Sequence, residues 1–144
     1  MEKILILAEK PTAMRKIALS IFPYAKLVRV GKVPYFVSYY ENKVYYIVSA
    51  LGHLYKLEPS THKFDYPIFE AEWEIVDGNA ERFAKVIREI SKDVNKVIVA
   101  TDYDIEGYVI AWNIIKFLIG NNKEIKRMKF STLTKSELLR AFNN

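Results

Sequence analysis

The stretch VIVATDYDIEG, residues 97–107, joins a continuous apolar run to carboxylates on every second residue, at Asp102, Asp104 and Glu106. Apolar runs of this length are typical of strands that are buried on both faces of a parallel sheet. In open α/β sheets, ligands bind beyond the carboxyl ends of such strands. The stretch therefore predicts a buried parallel strand with a polar site at its end.

The rest of the chain predicts alternating strands and helices. Strands are expected at 3–8, 27–30, 33–40, 43–51, 69–76, 96–100 and 126–130, with a hairpin between the third and fourth of them. Helices are expected after Pro11, after an Asn79 cap, over 108–120, and after a capping box at 134–137. Residues 52–67 lack a period and predict a loop. This order indicates an α/β fold of the doubly wound kind, with a mainly parallel sheet, helices on both faces and a β-rich middle.

Length and composition limit the class of protein. With 144 residues, 51% of them hydrophobic, the chain has enough apolar residues for one domain core and is too short for two. It has no cysteine, which excludes disulfides and thiolate metal sites and predicts a cytoplasmic location. No apolar run reaches the roughly 20 residues that a membrane helix needs, so a soluble protein without membrane contact is expected.

The net charge of +5 is unevenly distributed. Residues 1–35 carry seven basic and two acidic residues (+5), residues 36–119 nine and thirteen (−4), and residues 120–144 six and two (+4). Basic ends around an acidic middle indicate a polyanion contact beside a metal-binding or acidic site. An ordinary soluble surface explains the same balance, and charge alone favours that simpler interpretation.

The three alternating carboxylates predict a metal site. Two such charges 4 Å apart repel by about 4 kcal/mol at an effective dielectric constant of 20, and a helix N-terminus offsets only roughly 0.3 to 1 kcal/mol. Mg²⁺ prefers oxygen ligands and needs neither cysteine nor histidine. In the structural alternative, Asp102 is a turn residue, Asp104 a helix cap and Glu106 a first-turn acid.

A further acid, Glu9, follows the first predicted strand and precedes Lys10. If strands 3–8 and 96–100 are parallel neighbours, Glu9 lies beside the acidic cluster. A carboxylate and an ammonium group at one strand end can act as a general acid or base and as a phosphate contact. A helix-capping acid is the simpler interpretation of Glu9.

Four blocks of the sequence together resemble the Toprim domain of type IA DNA topoisomerases, in particular the archaeal topoisomerase I and topoisomerase III branch. The blocks are AEKPTAMRKIA (8–18), ALGHLYKLEP (50–59), VIVATDYDIEGYVIAWNII (97–115) and RMKFSTLTKSELLRAF (127–142). They occur in the family's order and span nearly the whole chain. The resemblance implies a single Toprim domain over residues 1–144, Rossmann-like, with a β-rich insertion at about 33–76.

The resemblance assigns roles to the acidic residues. Glu9, Asp102, Asp104 and Glu106 match the carboxylates that bind Mg²⁺, and Glu9 also matches a group used for proton transfer. Glu106 contributes either direct ligation or charge alone. Tyr108 stands where many members have a further glutamate, so one acidic group near the metal is missing.

The resemblance also implies that three basic residues contact DNA near the bond that is cut. Lys10 matches a lysine that stabilises phosphate charge, His53 a histidine near that bond, and Arg127 a basic residue able to bind phosphate bidentately. A loop histidine and a solvated strand-edge arginine are the simpler interpretations of the last two. His62 matches no block.

The function implied by the resemblance is incomplete within this sequence. In the family, a tyrosine of a later domain attacks single-stranded DNA to form a 5′-phosphotyrosine, and none of the ten tyrosines here matches it. We therefore expect the Toprim part of a Mg²⁺-dependent topoisomerase that relaxes negatively supercoiled DNA. The strand-gate and tyrosine domains, absent from 1–144, are expected in cis or as a separate chain. The alternatives are a stand-alone Toprim nuclease and a non-catalytic nucleic-acid-binding module.

Overall fold

The computed structural model describes residues 2–31, 33–50, 55–57, 73–75, 78–101, 105–120, 123–130 and 132–143, with backbone alone at 55–57, 73–75, 78–80 and 105–106. The strands are β1 (Glu2–Ala8), β2 (Lys26–Val30), β3 (Val33–Tyr40), β4 (Lys43–Ser49), β5 (Tyr55–Leu57), β6 (Trp73–Ile75), β7 (Lys96–Ala100) and β8 (Glu124–Arg127). The helices are α1 (Pro11–Ile21), α2 (Gly78–Ser91), α3 (Ile105–Ile114), which continues into a π-helical turn (Ile115–Ile119), and α4 (Lys135–Asn143).

Six of these strands form one sheet in the order β2-β3-β4-β1-β7-β8. β1 runs parallel to both β4 and β7, and β7 runs parallel to β8, whereas β2, β3 and β4 are joined antiparallel. The predicted α/β fold is therefore confirmed, and the parallel pairing of β1 with β7, on which the position of Glu9 was made to depend, is observed. The predicted β-rich insertion at 33–76 is divided, because β3 and β4 belong to the main sheet while β5 and β6 form a separate antiparallel pair.

Helices cover both faces of the sheet, as predicted. Alternate residues of β1 and β7, such as Leu7 and Val99, pack with α2 and α3 on one face. The residues between them, such as Ile6 and Ile98, pack with α1 and α4 on the other face. Because β1 and β7 are buried on both sides from Ile4 and Val97 onwards, these parts of the two strands are continuously apolar rather than alternating.

The face formed by α1 and α4 contains a cluster of four aromatic rings, in which Phe22 contacts the other three. The centroid of the Phe22 ring lies 5.8 Å from that of Tyr40, 4.8 Å from Tyr45 and 5.4 Å from Phe142. Phe22 follows α1, the tyrosines lie on β3 and β4, and Phe142 lies on α4. The cluster thus joins the C-terminal helix to the sheet.

The hydroxyl of Tyr45 gives this cluster a pH dependence. Burial first, then the negative charges of Glu41 and Glu2, raises the pKa of Tyr45 above its ordinary value near 10. The folded state thus favours the neutral phenol. The stability that the neutral phenol of Tyr45 contributes is complete below pH 10 and is lost as the pH rises through its raised pKa. We expect the free energy of unfolding, measured with urea between about pH 9 and 11.5, to fall less in Tyr45→Phe than in the unmodified protein. Tyr24→Phe, at an 83% exposed position, is the control, and equal falls in all three proteins contradict the assignment.

The predicted hairpin is confirmed at the level of single residues, and so is the Thr134 half of the predicted capping box. Glu41 and Asn42 both have positive φ, 51° and 63°, as the type I′ turn of a two-residue hairpin requires. The hydroxyl of Thr134 accepts a hydrogen bond from the backbone N–H of Glu137 at 3.4 Å, which caps α4. The carboxylate of Glu137 pairs with Arg140 one turn later.

The loop predicted over 52–67 and the strand predicted at 126–130 differ from the structure. Residues 55–57 form β5, so the loop prediction is wrong there, and three residues are too few for a period to show in the sequence. The last strand is displaced towards the N-terminus, since β8 covers Glu124–Arg127. Of the strand predicted at 69–76, the part that the structure describes forms β6.

Two helix boundaries also differ from the predictions. α2 begins at Gly78, so Asn79 lies inside the helix rather than at its cap. The helix predicted over 108–120 begins at Ile105, and its last turn is π-helical before Gly120 ends it with φ of +89°. Within the described parts of the chain, no helix is long and apolar enough to span a membrane.

Candidate active site at the carboxyl edge of the sheet

Three adjacent parallel strands deliver polar residues to one edge of the sheet. β1 ends at Ala8, which is paired with Ala100 of β7, so Glu9 and Thr101 follow two neighbouring strand ends. On the other side of β7, Val99 is paired with Arg127, the last residue of β8. The register therefore places Glu9, Thr101 and Arg127 at the same carboxyl edge.

Glu9 and Lys10 differ in their exposure to solvent. Glu9 is a buried carboxylate, 8% exposed, whereas Lys10 is exposed. Lys10 is also the N-cap of α1, and its backbone carbonyl accepts a hydrogen bond from the N–H of Met14 at 2.9 Å. The edge therefore offers one buried acid and, next to it, one cation that faces solvent.

Thr101 is fully buried and lies at the centre of a hydrogen-bond network. Its hydroxyl donates to the backbone carbonyl of Gly107 at 3.0 Å. The guanidinium of Arg127 donates to the Thr101 hydroxyl at 3.1 Å and to the Thr101 carbonyl at 3.2 Å. Thr101 and Gly107 stand immediately before and after residues 102–106, so the network joins the two ends of the acidic segment.

Arg127 has a different environment from the solvated strand-edge arginine considered above. Its side chain is partly buried, and two of its five N–H groups donate to Thr101. Arg127 is thus a strand-edge arginine that is only partly solvated and is tied to Thr101. Its contact with a DNA phosphate stays a prediction.

Several predicted site residues fall outside the described structure. His53, Asp102 and Asp104 are among them, and for Glu106 the structure describes only the backbone, in the first turn of α3. Among the side chains that the structure does describe, no three acidic or histidine groups are placed to hold a metal ion. The metal site therefore stays a prediction, to which the structure adds the buried carboxylate of Glu9 and its place in the sheet.

Thr101 is a candidate functional residue that the sequence did not single out, although it directly follows the buried strand and precedes the acids. Tyr108, where the resemblance leads one to expect a glutamate, is 63% exposed on α3.

Known proteins resemble this chain over almost its whole length. A family model described as the Toprim domain matches residues 4–133. DNA topoisomerase 1 of Pyrococcus horikoshii is 41% identical over 98% of this chain, and that of Methanocaldococcus jannaschii 39% identical over 97%. DNA topoisomerase 3 of Staphylococcus epidermidis is 32% identical over 97% of the chain.

The fold is also shared with a solved structure. Full-length topoisomerase I from Thermotoga maritima superimposes with a TM-score of 0.63 at 22% identity, over 97% of this chain and 20% of the other. The three sequence relatives are likewise longer, since the match covers 22%, 19% and 20% of their respective lengths. The chain thus spans about a fifth of each of these proteins.

Proposed function

This chain belongs to the Toprim family, and we propose that it acts as the Toprim part of a type IA DNA topoisomerase. The observation that carries the proposal is the parallel register of β1 and β7, with Ala8 opposite Ala100. It places buried Glu9 beside the strand from which Asp102 and Asp104 follow. The similarity to topoisomerases over 98% of the chain gives this juxtaposition its chemical context.

We assign Mg²⁺ binding to four carboxylates, those of Glu9, Asp102, Asp104 and Glu106. Their oxygen atoms are the donors that Mg²⁺ prefers, and the chain has no cysteine to favour a softer metal. When bound, the ion would neutralise and orient the phosphate of the DNA. Only Glu9 of this set has a described side chain, so the assignment rests on the sequence pattern and on the position of the strand ends.

The chain's own residues would handle the proton and the phosphate charge. Glu9 is buried at the strand end, where a protonated carboxyl group can give its proton to the departing sugar oxygen and the resulting carboxylate can take it back when the strand is rejoined. Lys10, exposed on the same edge, would contact the phosphate as a point charge. His53 and Arg127 would add further phosphate contacts.

The nucleophile of the reaction would come from outside residues 1–144. A tyrosine of the remaining domains, in cis or in a separate chain, would attack the phosphorus and leave a phosphotyrosine and a free strand end. The new bond replaces the one that breaks, so no ATP is consumed. The substrate would be single-stranded or negatively supercoiled DNA, and a cytoplasmic location would fit this role.

A chimera tests the proposal. Residues 1–144 replace the matching region of the Pyrococcus horikoshii DNA topoisomerase 1, and relaxation of negatively supercoiled plasmid is measured against Mg²⁺ concentration. We expect Mg²⁺-dependent relaxation, reduced at least about 10²-fold by Glu9→Gln because the proton-transfer group is lost. Glu89→Gln, on the exposed surface of α2, is the matched control and should keep full activity.

Two outcomes would contradict the proposal. One is a folded chimera that relaxes no DNA at any Mg²⁺ concentration. The other is cleavage of single-stranded DNA by the 144-residue chain alone, which would support a nuclease that uses water in place of the tyrosine.

A further inference from the structure

The hydrogen-bond directions around Thr101 are fixed by the chemistry of its partners. The Gly107 carbonyl can only accept, so the single hydroxyl hydrogen of Thr101 must point to it. The Arg127 guanidinium can only donate, so its N–H must point to a lone pair of the Thr101 hydroxyl oxygen. The hydroxyl is therefore held in one orientation, and it is buried with no exposed surface.

This buried hydroxyl connects three elements of the fold. Thr101 directly follows β7, Gly107 lies in the first turn of α3, and Arg127 ends β8. In the sequence, residues 102–106 connect Thr101 to Gly107, so both ends of the acidic segment adjoin members of the network. The distance between the two ends of the acidic segment is thus set by side-chain hydrogen bonds as well as by the covalent chain.

We infer that Thr101 and Arg127 are positioning residues, which hold the acidic segment in the arrangement that its carboxylates need for metal binding. The inference rests on the proposed function, since three of the four proposed metal ligands lie between Thr101 and Gly107. Mg²⁺ demands a near-ideal octahedral arrangement of ligands, so a small displacement of the segment's ends weakens binding. Groups that orient metal ligands commonly change metal affinity by 10- to 100-fold when they are removed.

Arg127 adds a charge effect to this geometric one. Its guanidinium is a permanent cation hydrogen-bonded to Thr101, the residue that directly precedes the acidic segment in the sequence, and a cation near these carboxylates would oppose their mutual repulsion. A lysine at this position keeps the charge but cannot donate in parallel to the hydroxyl and the carbonyl of Thr101. Arg127→Lys and Arg127→Met therefore separate the charge from the hydrogen bonds.

The test uses the 144-residue chain with Thr101→Val, which keeps the shape but removes the hydroxyl, and Thr101→Ser, which keeps the hydroxyl. Hydrogen exchange of the peptide that spans 101–107 is measured without metal, and Mg²⁺ affinity is measured by calorimetry. We expect faster exchange in this peptide and about tenfold weaker Mg²⁺ binding in Thr101→Val, with both restored in Thr101→Ser. Thr12→Val, at an exposed position of α1, is the control.

The outcomes separate this inference from the proposed function. If the unmodified chain binds no Mg²⁺ but exchange at 101–107 rises only in Thr101→Val, positioning stands and the metal assignment fails. If the unmodified chain binds Mg²⁺ and Thr101→Val has the same hydrogen exchange at 101–107 and the same Mg²⁺ affinity, the inference is overturned. If Thr101→Val does not fold, the two Arg127 variants test the inference instead. A positioning role predicts that Arg127→Lys recovers less than half of the Mg²⁺ affinity that Arg127→Met loses.

Discussion

Replacing both Asp102 and Asp104 with asparagine is expected to abolish Mg²⁺ binding and, at the same time, to make the metal-free domain more stable. Two carboxylates that bind a divalent ion contribute charge that an amide lacks, so affinity should fall by more than about 10²-fold. Without the ion the same charges repel each other, and their removal relieves an energy on the order of 1 kcal/mol. Relaxation by the assembled chimera should be lost with the metal.

Asparagine is chosen because it separates the metal site from the structural alternative. Asn and Asp cap helices about equally well, so a turn residue and a helix cap would tolerate the exchange with little change in stability or in Mg²⁺ affinity. Calorimetry with Mg²⁺ and thermal unfolding in a chelator measure the two quantities. Asp93→Asn, at an exposed acid before the amino end of β7, is the control. Unchanged Mg²⁺ affinity in the double variant contradicts the metal site.

The centre of the fold was predictable from sequence because its strands are buried on both faces. Residues 4–8 and 97–100 are continuously apolar, and this pattern alone indicates central strands of a parallel sheet. The exposed edge strand β8 has no such pattern, since three of its four residues, Glu124, Ile125 and Lys126, are exposed. The π-helical turn at 115–119 was not predictable either. An extra residue in one turn displaces the polar face of a helix, but a largely apolar helix has no polar face whose displacement could be seen in the sequence.

The candidate site was predictable only as far as strand ends define it. The expectation that Glu9 and the acidic segment follow neighbouring strands came from the rule that ligands bind at the carboxyl ends of parallel strands, and the register shows that β1 and β7 are neighbours. The role of Thr101 did not follow. Its hydrogen bonds reach 6 residues to Gly107 and 26 residues to Arg127, so they depend on the pairing of β7 with β8 rather than on any local spacing.

Phe22→Ala is expected to cost about 4 kcal/mol of the free energy of unfolding, a large share of the roughly 5 to 15 kcal/mol typical of a domain. Phe22 is fully buried, and its ring contacts three other aromatic rings from two strands and α4. Truncation removes these contacts and leaves a cavity that the rigid neighbouring rings cannot fill. Urea denaturation measures the loss. Leu19→Ala, at a 51% exposed position of α1, should cost less than about 1 kcal/mol.

A double-mutant cycle then shows how α4 is attached to the sheet. If the contact between Phe22 and Phe142, 5.4 Å between ring centroids, helps to hold α4, the two alanine substitutions should be non-additive by about 0.5 to 1.5 kcal/mol. Additive losses would mean that the contact between Phe22 and Phe142 does not hold α4. The helix would then be held by the contacts of Phe142 with Tyr40 and Tyr45 and by Leu138 and Ala141, which are buried in the same core.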